Sequence, residues 1–265
     1  MNEVAPREVQ AAPRRRPRPP PRQVVVERLD RVTPRVISVT FAGDALAGFG
    51  PPRPGAHMKL LFAPPDFDWT PREDAPRPPS RTYTPRLYDA DRKRLDVEFV
   101  LHGAGLAASW VEKAAVGGPM ALAGPGGGYD VPADSSSLVI VADDTAMPAA
   151  GTILEALPKG VKPIVLCEVA DAAEERELSP RVAVSPVWFH RETKGAVGGA
   201  LLEEAVKGMT VPAGSFWWIA CEAGAMRRIK QHLIKERGVD PQRLHTRGYW
   251  RLGETNYPDH DYGND

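Results

Sequence analysis

The chain has 265 residues, 42% hydrophobic and 26% charged, with 34 Lys+Arg against 34 Asp+Glu. At about 150 residues per domain this length predicts two domains, each with its own core, and excludes a small module that needs staples. The zero formal net charge excludes a global field that would collect nucleic acid or a membrane surface.

Residues 1–22 open the chain with six Arg and two Glu. Within them Pro13–Arg22, PRRRPRPPPR, has nothing apolar to bury and is predicted to be disordered or polyproline-like. A basic tail suits nucleic acid or an acidic surface, but a solvated extension is the reading adopted here, and neither nucleic acid nor a membrane is an expected partner. No apolar stretch follows the arginines as an export signal would require, and no run of about 18 apolar residues is present to span a membrane. Cys167 and Cys221 fit neither a metal-ligand spacing nor a disulfide framework. They are read as reduced core thiols of a cytoplasmic protein without a metal site, and a monomer is expected.

From Gln23 the texture changes to QVVVERLDRV, RVISVTFA and HMKLLFA, apolar or β-branched runs split by Gly and Pro turns. A connection from Pro64 to Ser80 leads to RTYTPRLYD and RLDVEFVLHG; one helix near Gly105–Ala115 follows, then MALAGPGGGYD. Short strands at this spacing predict a closed antiparallel β-barrel over residues 23–133. After Ser135 the period switches. SLVIVAD, PIVLCEVA, VAVSPVWFH, SFWWIAC and LHTRGYW alternate with helices over TAMPAAGTILEAL, Gly199–Lys207 and Glu222–Arg237. Continuous apolar strands alternating with helices predict a parallel-sheet, nucleotide-binding type of α/β domain over residues 134–253. Residues 254–265, with four acids and no Lys or Arg, form an acidic tail.

The chemistry concentrates at Arg81-Thr82-Tyr83-Thr84-Pro85-Arg86. In an extended strand Arg81 and Tyr83 point the same way, presenting a cation beside a flat phenol, which suits a ligand with a phosphate next to a planar ring. Pro85 keeps Thr84 extended and weakens the ladder, leaving its hydroxyl and amide for a ring heteroatom. AGPGGGY lacks the Gly-Lys-[ST] ending of a phosphate loop and is read as a tight turn. The first strand of the second domain carries ADDTAMP and no G-x-G-x-x-G.

A barrel carrying RTYT, followed by an α/β domain, resembles the ferredoxin–NADP reductase superfamily, and within it the siderophore-interacting proteins, flavin-dependent ferric-siderophore reductases. The resemblance runs from Gln23 to about Gly253. It rests on GAHMKLLF at Gly55–Phe62, RTYTPR, VEFVLHG at Val97–Gly103, GLAASW at Gly105–Trp110, AGPGGGY at Ala123–Tyr129, ADDTAMPA at Ala142–Ala149, CEAGAMRRIKQHL at Cys221–Leu233 and GYWRLG at Gly248–Gly253.

It implies a β-barrel that binds FAD. Arg81 would meet the pyrophosphate, Tyr83 the flavin and ribityl, and Thr84 the reactive nitrogen edge, with Thr82 on the same strand. Tyr83 and Thr84 are the catalytic candidates. Ala108 and Ser109 would serve the pyrophosphate from the helix, and Leu101 and His102 would lie beside the flavin. Thr145, Glu222, Ala223 and Met226 are the candidates at the strand ends for NADPH or NADH, and Arg191 and Lys194 fit either a 2′-phosphate site or a solvated loop. Lys59, Arg247 and Arg251, with Arg251 foremost, are the implied basic pocket for an anionic ferric siderophore. Reduction to Fe(II) would release the metal, and FAD would be the relay between a two-electron donor and a one-electron acceptor. Reduced ferredoxin remains an alternative donor. The competing readings are a flavin reductase that serves a ferredoxin- or flavodoxin-type protein, and a siderophore-binding protein without enzymatic activity.

Overall fold

The computed structural model describes residues 20–64, 66–70, 78–103, 105–258 and 261–263. Most of the Arg/Pro tail therefore lies outside the described residues. The first unit comprises strands β1 (Arg22–Thr33), β2 (Val36–Ala42), β3 (Ala56–Leu61), β4 (Ser80–Tyr83), β5 (Leu87–Asp89), β6 (Arg94–Val100) and β7 (Pro119–Gly127), with helix α1 (Leu106–Val111) between β6 and β7. They pair antiparallel in the order β4-β3-β7-β1-β2-β6-β5.

Alternation builds this sheet. Leu95, Val97 and Phe99 of β6 turn inward with Met58 and Leu60 of β3 and Val24 and Val26 of β1 to form one core. Trp110 of α1 plugs it, 5.5 Å from the Phe99 ring and 5.9 Å from that of Phe62. Two sequence expectations change here. The barrel is not closed by hydrogen bonds: no ladder joins its end strands β4 and β5 among the described residues. Pro85 stands between them without an N–H to give, and the chain crosses from the β3 edge to the β6 edge in three residues, where the Arg86 amide donates to the Asp96 carbonyl at 2.9 Å. So short a link curls the sheet on itself and leaves an open seam at Thr84–Arg86. The glycine-rich run, expected to be a tight turn, instead continues β7, where Gly126 and Gly127 pair with His57 and Ala56 of β3.

The second unit has parallel strands β8 (Ser137–Asp143), β9 (Lys162–Val169), β10 (Val187–His190), β11 (Phe216–Glu222) and β12 (Leu244–Trp250), in the order β10-β9-β8-β11-β12. Helix α2 (Met147–Glu155) covers one face over Leu138, Ile140 and Trp218. Helices α3 (Ala200–Gly208) and α4 (Ala223–Lys235) cover the other over Val139, Val141 and Trp217. Every residue of β8 and β11 is buried, which accounts for the apolar runs LVIVA and FWWIAC within them. The strand expected over VAVSPVWFH shrinks to β10, because Pro186 cannot donate to a ladder.

Polar bonds join the two units, buried at Arg86, Arg176 and Thr33 and exposed at Arg35. Arg86 donates to Glu155 at 2.9 Å and lies 3.8 Å from Glu98, which also receives Arg176 at 3.1 Å. Thr33 donates to Glu174 at 2.5 Å, and Arg35 pairs with Glu192 at 2.6 Å. After β12 the acidic segment does not swing free. The Gly248 amide donates to the Asp261 carbonyl at 2.9 Å, the Thr246 hydroxyl to the Tyr262 carbonyl at 2.7 Å, and Arg227 pairs with Asp261 at 3.0 Å. No helix among the described residues is long and apolar enough to cross a membrane.

Candidate functional site

At the seam the two units leave a cleft of about 330 Å³. One wall is Arg81, Thr82, Tyr83 and Thr84; a second is Glu98, Val100, His102 and the start of α1, Gly105 to Ala108. The second unit contributes Thr145, Pro148 and Arg247 to Trp250, and the C-terminal segment contributes Glu254 to Tyr257.

The α1 end is shaped for an anion. Gly105 is extended, no side chain caps the first turn, and Leu106, Ala107 and Ala108 line the cleft, so the uncapped N–H groups of that turn belong to its wall. Across from them, Arg81 donates to the Ser80 carbonyl at 2.9 Å and to Asn256 Oδ1 at 3.1 Å. Two residues along β4, Tyr83 packs on Phe99 with ring centroids 4.5 Å apart. Burial pushes its phenol well above the usual range, although the Arg81 charge pulls the other way, so it stays neutral.

Thr84, expected to hold its hydroxyl ready for a ring heteroatom, is buried on the cleft wall, which Tyr249 also lines. Burial raises the Tyr249 phenol to about 12, with Asp143 adding to the rise while Arg247 and Thr84 oppose it.

Of the other candidates, His102, Ala108, Thr145 and Arg247 also reach the cleft. Leu101 packs half-buried on the first core, its amide donating to the Arg35 carbonyl at 2.7 Å. Ser109 is exposed within α1 and outside the cleft lining. Lys59 stands opposite Thr82 and donates to its hydroxyl at 2.6 Å. Arg251, the foremost basic candidate, is half exposed, lies outside the cleft lining and pairs with Glu254 at 3.2 Å.

Glu222 caps α4 by accepting from the Ala225 amide at 2.7 Å, while Ala223 and Met226 are 0% exposed in the core. The structure therefore gives these three a cap and a packing role and does not open them to the cleft. Arg191 pairs with Asp144 at 2.6 Å, and Lys194 sits exposed on the turn after β10.

Several residues escaped the sequence reading. His57 lines the cleft, its Nδ1 3.4 Å from Arg247 Nη1. Its ring lies against Gly127, where a Cβ would stand 2.6 Å from His57 Cε1. Asn256 and Tyr257 enter from a tail with no motif. Asp143, Asp144 and Glu168 form a buried acidic group behind Thr145 and Trp250. A signal for this group existed: Glu168 interrupts the apolar run VLCEVA and Asp143-Asp144 ends another, and a charge inside a continuous apolar strand marks a buried, partnered group.

Comparison with known proteins places both units in one family. A family model described as Siderophore-interacting FAD-binding domain matches residues 25–129, and one described as Siderophore-interacting protein matches residues 135–253. The chain is 33% identical over 242 residues to the NADPH-dependent ferric-chelate reductase of Escherichia coli, covering 86% of this chain and 92% of that one. It is 28% identical over 254 residues to the ferric vibriobactin reductase ViuB of Vibrio cholerae, covering 91% and 93%. The crystal structure of a siderophore utilization protein from T. fusca superposes with a TM-score of 0.79 at 34% identity, covering 92% of this chain and 98% of that one. On the matched residues of both units, the chain belongs to the siderophore-interacting protein family.

Proposed function

We propose that this protein is an FAD-dependent ferric-siderophore reductase that takes electrons from NADPH and releases Fe(II) in the cytoplasm. The observation that carries the reading is the meeting of Arg81 and the uncapped α1 amides across one cleft that also receives Arg247. These residues fit a dinucleotide pyrophosphate, a forked guanidinium facing a turn of free N–H groups. FAD, when bound, supplies the conversion of paired electrons from a nicotinamide donor into single electrons for iron.

The chain's own residues do the rest. Arg81 and the α1 amides hold the phosphates, and neutral Tyr83, wedged on Phe99, gives the ring system a fixed apolar wall. Thr84 places its hydroxyl at the seam beside Tyr249, where the reactive edge of the ring system would lie. Arg247 beside His57, with Lys59 on the same strand as His57, gathers positive charge where an anionic ferric complex can approach, and Arg251 at the rim adds to the attraction. The name of the Escherichia coli relative supports NADPH as donor.

The test is anaerobic reduction of the FAD-loaded protein by NADPH, NADH or reduced ferredoxin, then addition of ferric catecholate and ferric hydroxamate complexes with an Fe(II) trap. Rapid bleaching by NADPH, and reoxidation by a ferric siderophore with trapped Fe(II), is the expected result. A protein that holds no flavin after soaking in FAD, or whose reduced flavin is indifferent to ferric complexes, overturns the reading. Preference for ferredoxin replaces the donor alone.

A further inference from the structure

The carboxyl ends of β8 and β9 bring together acidic side chains that the proposed reaction does not use. Asp143 is 1% exposed. Its Oδ1 accepts from the Thr145 amide at 3.0 Å and the Thr145 hydroxyl at 2.6 Å, and its Oδ2 accepts from Trp250 Nε1–H at 2.7 Å. Glu168, 0% exposed, accepts from the amides of Gly199 at 2.7 Å and Leu201 at 3.1 Å. Arg191 answers Asp144 at 2.6 Å and lies 4.0 Å from Glu168. Cys167 of β9, Cys221 of β11 and Tyr249 of β12 also lie within the electrostatic reach of Asp143.

One of these acids grips an indole, and another holds the loop beneath it. Asp143 takes its Nε1–H, and the far edge of the ring lies over Gly198, where a Cβ would stand 2.6 Å from Trp250 Cη2. The next residue, Gly199, is the one Glu168 anchors. Trp250 and Thr145, the two residues that Asp143 holds, both line the cleft.

We propose that Asp143 is a positioning residue that fixes the Trp250 indole as the cleft wall on the side of the second unit, with Glu168 holding the loop under the ring, and that this wall loosens when Asp143 is protonated. Only the consequence for turnover rests on the reductase reading. An ionised carboxylate can accept at both oxygens, and such charge-assisted bonds are roughly twice as strong as neutral ones. Asparagine or a protonated carboxyl keeps one acceptor oxygen for Trp250 and can donate to the Thr145 hydroxyl, but the charge assistance on the indole bond is lost. Burial, then repulsion from Asp144, pushes the Asp143 carboxyl up to about 7, against the pull of Thr145 and Trp250, so the grip changes near neutrality.

The test uses the FAD-loaded protein with ¹⁵N-tryptophan. The Trp250 indole resonance, identified by its loss in Trp250→Phe, is followed from about pH 5 to about pH 9. In the wild type it is expected to titrate with an inflection near neutrality, and in Asp143→Asn to stay flat. Anaerobic flavin reduction by NADPH is expected to rise several-fold through the same inflection in the wild type, and to lose that dependence in Trp250→Phe and Asp143→Asn. If Asp143→Asn does not fold, the wild-type titration and the Trp250→Phe profile decide. A wild-type indole resonance that does not titrate, or a Trp250→Phe protein with the wild-type pH profile, overturns the proposal. Failure of NADPH to reduce the flavin at any pH removes the donor reading, while the indole titration still decides the role of Asp143.

Discussion

His245 rests its ring against Tyr129, with centroids 4.8 Å apart. Burial, and after it the Arg247 charge, pulls its pKa down to about 4. The unfolded chain, with an ordinary value near about 6.5, already takes up a proton where the folded ring stays neutral. Between those values the unfolded state binds more protons, so stability is complete above the unfolded pKa and falls as pH drops toward the folded one. Asp143 shifts the other way. Its folded carboxyl holds a proton that the unfolded one has released, so it costs stability above neutrality and the cost fades on acidification. His245→Phe separates the two, because Asp143 is common to both proteins. In urea unfolding at about pH 7 and about pH 5, the wild type is expected to lose about 2 kcal/mol more than His245→Phe on acidification. Equal losses would mean that the ring charges freely in the folded state.

At the scale of elements, α4 depends on one side chain at its start. Glu222 accepts from Ala225, and its other oxygen receives the Leu252 amide at 3.4 Å. Glu222→Ala is expected to lower unfolding free energy by about 1 kcal/mol, read as a fall in the denaturant midpoint at unchanged slope. An unchanged midpoint would show that the cap carries no weight.

How legible each element was follows from how local its cause is. Strands β8 and β11 and helix α4 were plain, because a strand buried on both faces is apolar over most of its length and an amphipathic helix must repeat. The R-x-Y-T strand was legible by its chemistry. The fate of Glu222, Ala223 and Met226 was not, since a helix start open to a ligand and one sealed by its own cap read alike in sequence. Nor was the contact of Asn256 with Arg81, made across 175 positions of chain, or the β7 run of glycines, whose bareness serves a histidine on another strand.

At the scale of the molecule, the cleft exists only while the two units keep their relation, and the ions between them carry that burden. Arg86 and Arg176 have side chains 6% exposed and face Glu98 at 16% and Glu155 at 11%. Removing Arg86 leaves Glu155 with Ser179 and an Arg181 that stands 3.8 Å away and leaves Glu98 to Arg176, and loss of one partner of a buried group costs up to about 3–5 kcal/mol. Arg86→Met is expected to lower stability by that order and to split one calorimetric transition into two, because each sheet has its own core. A single transition at the wild-type temperature would mean that apolar contact alone joins the units.

Strand β12 is the outermost of its sheet, and beyond it stands the bridge from Gly248 to Asp261. An unclaimed strand border offers its amides and carbonyls to any passing polypeptide and seeds self-association. The C-terminal segment blunts that border by occupying the bond at Gly248, while the opposite border, β10, is only four residues long. The C-terminal segment that lends Glu254 to Tyr257 to the cleft thus also covers, through Asp261, the border at which a second copy could pair.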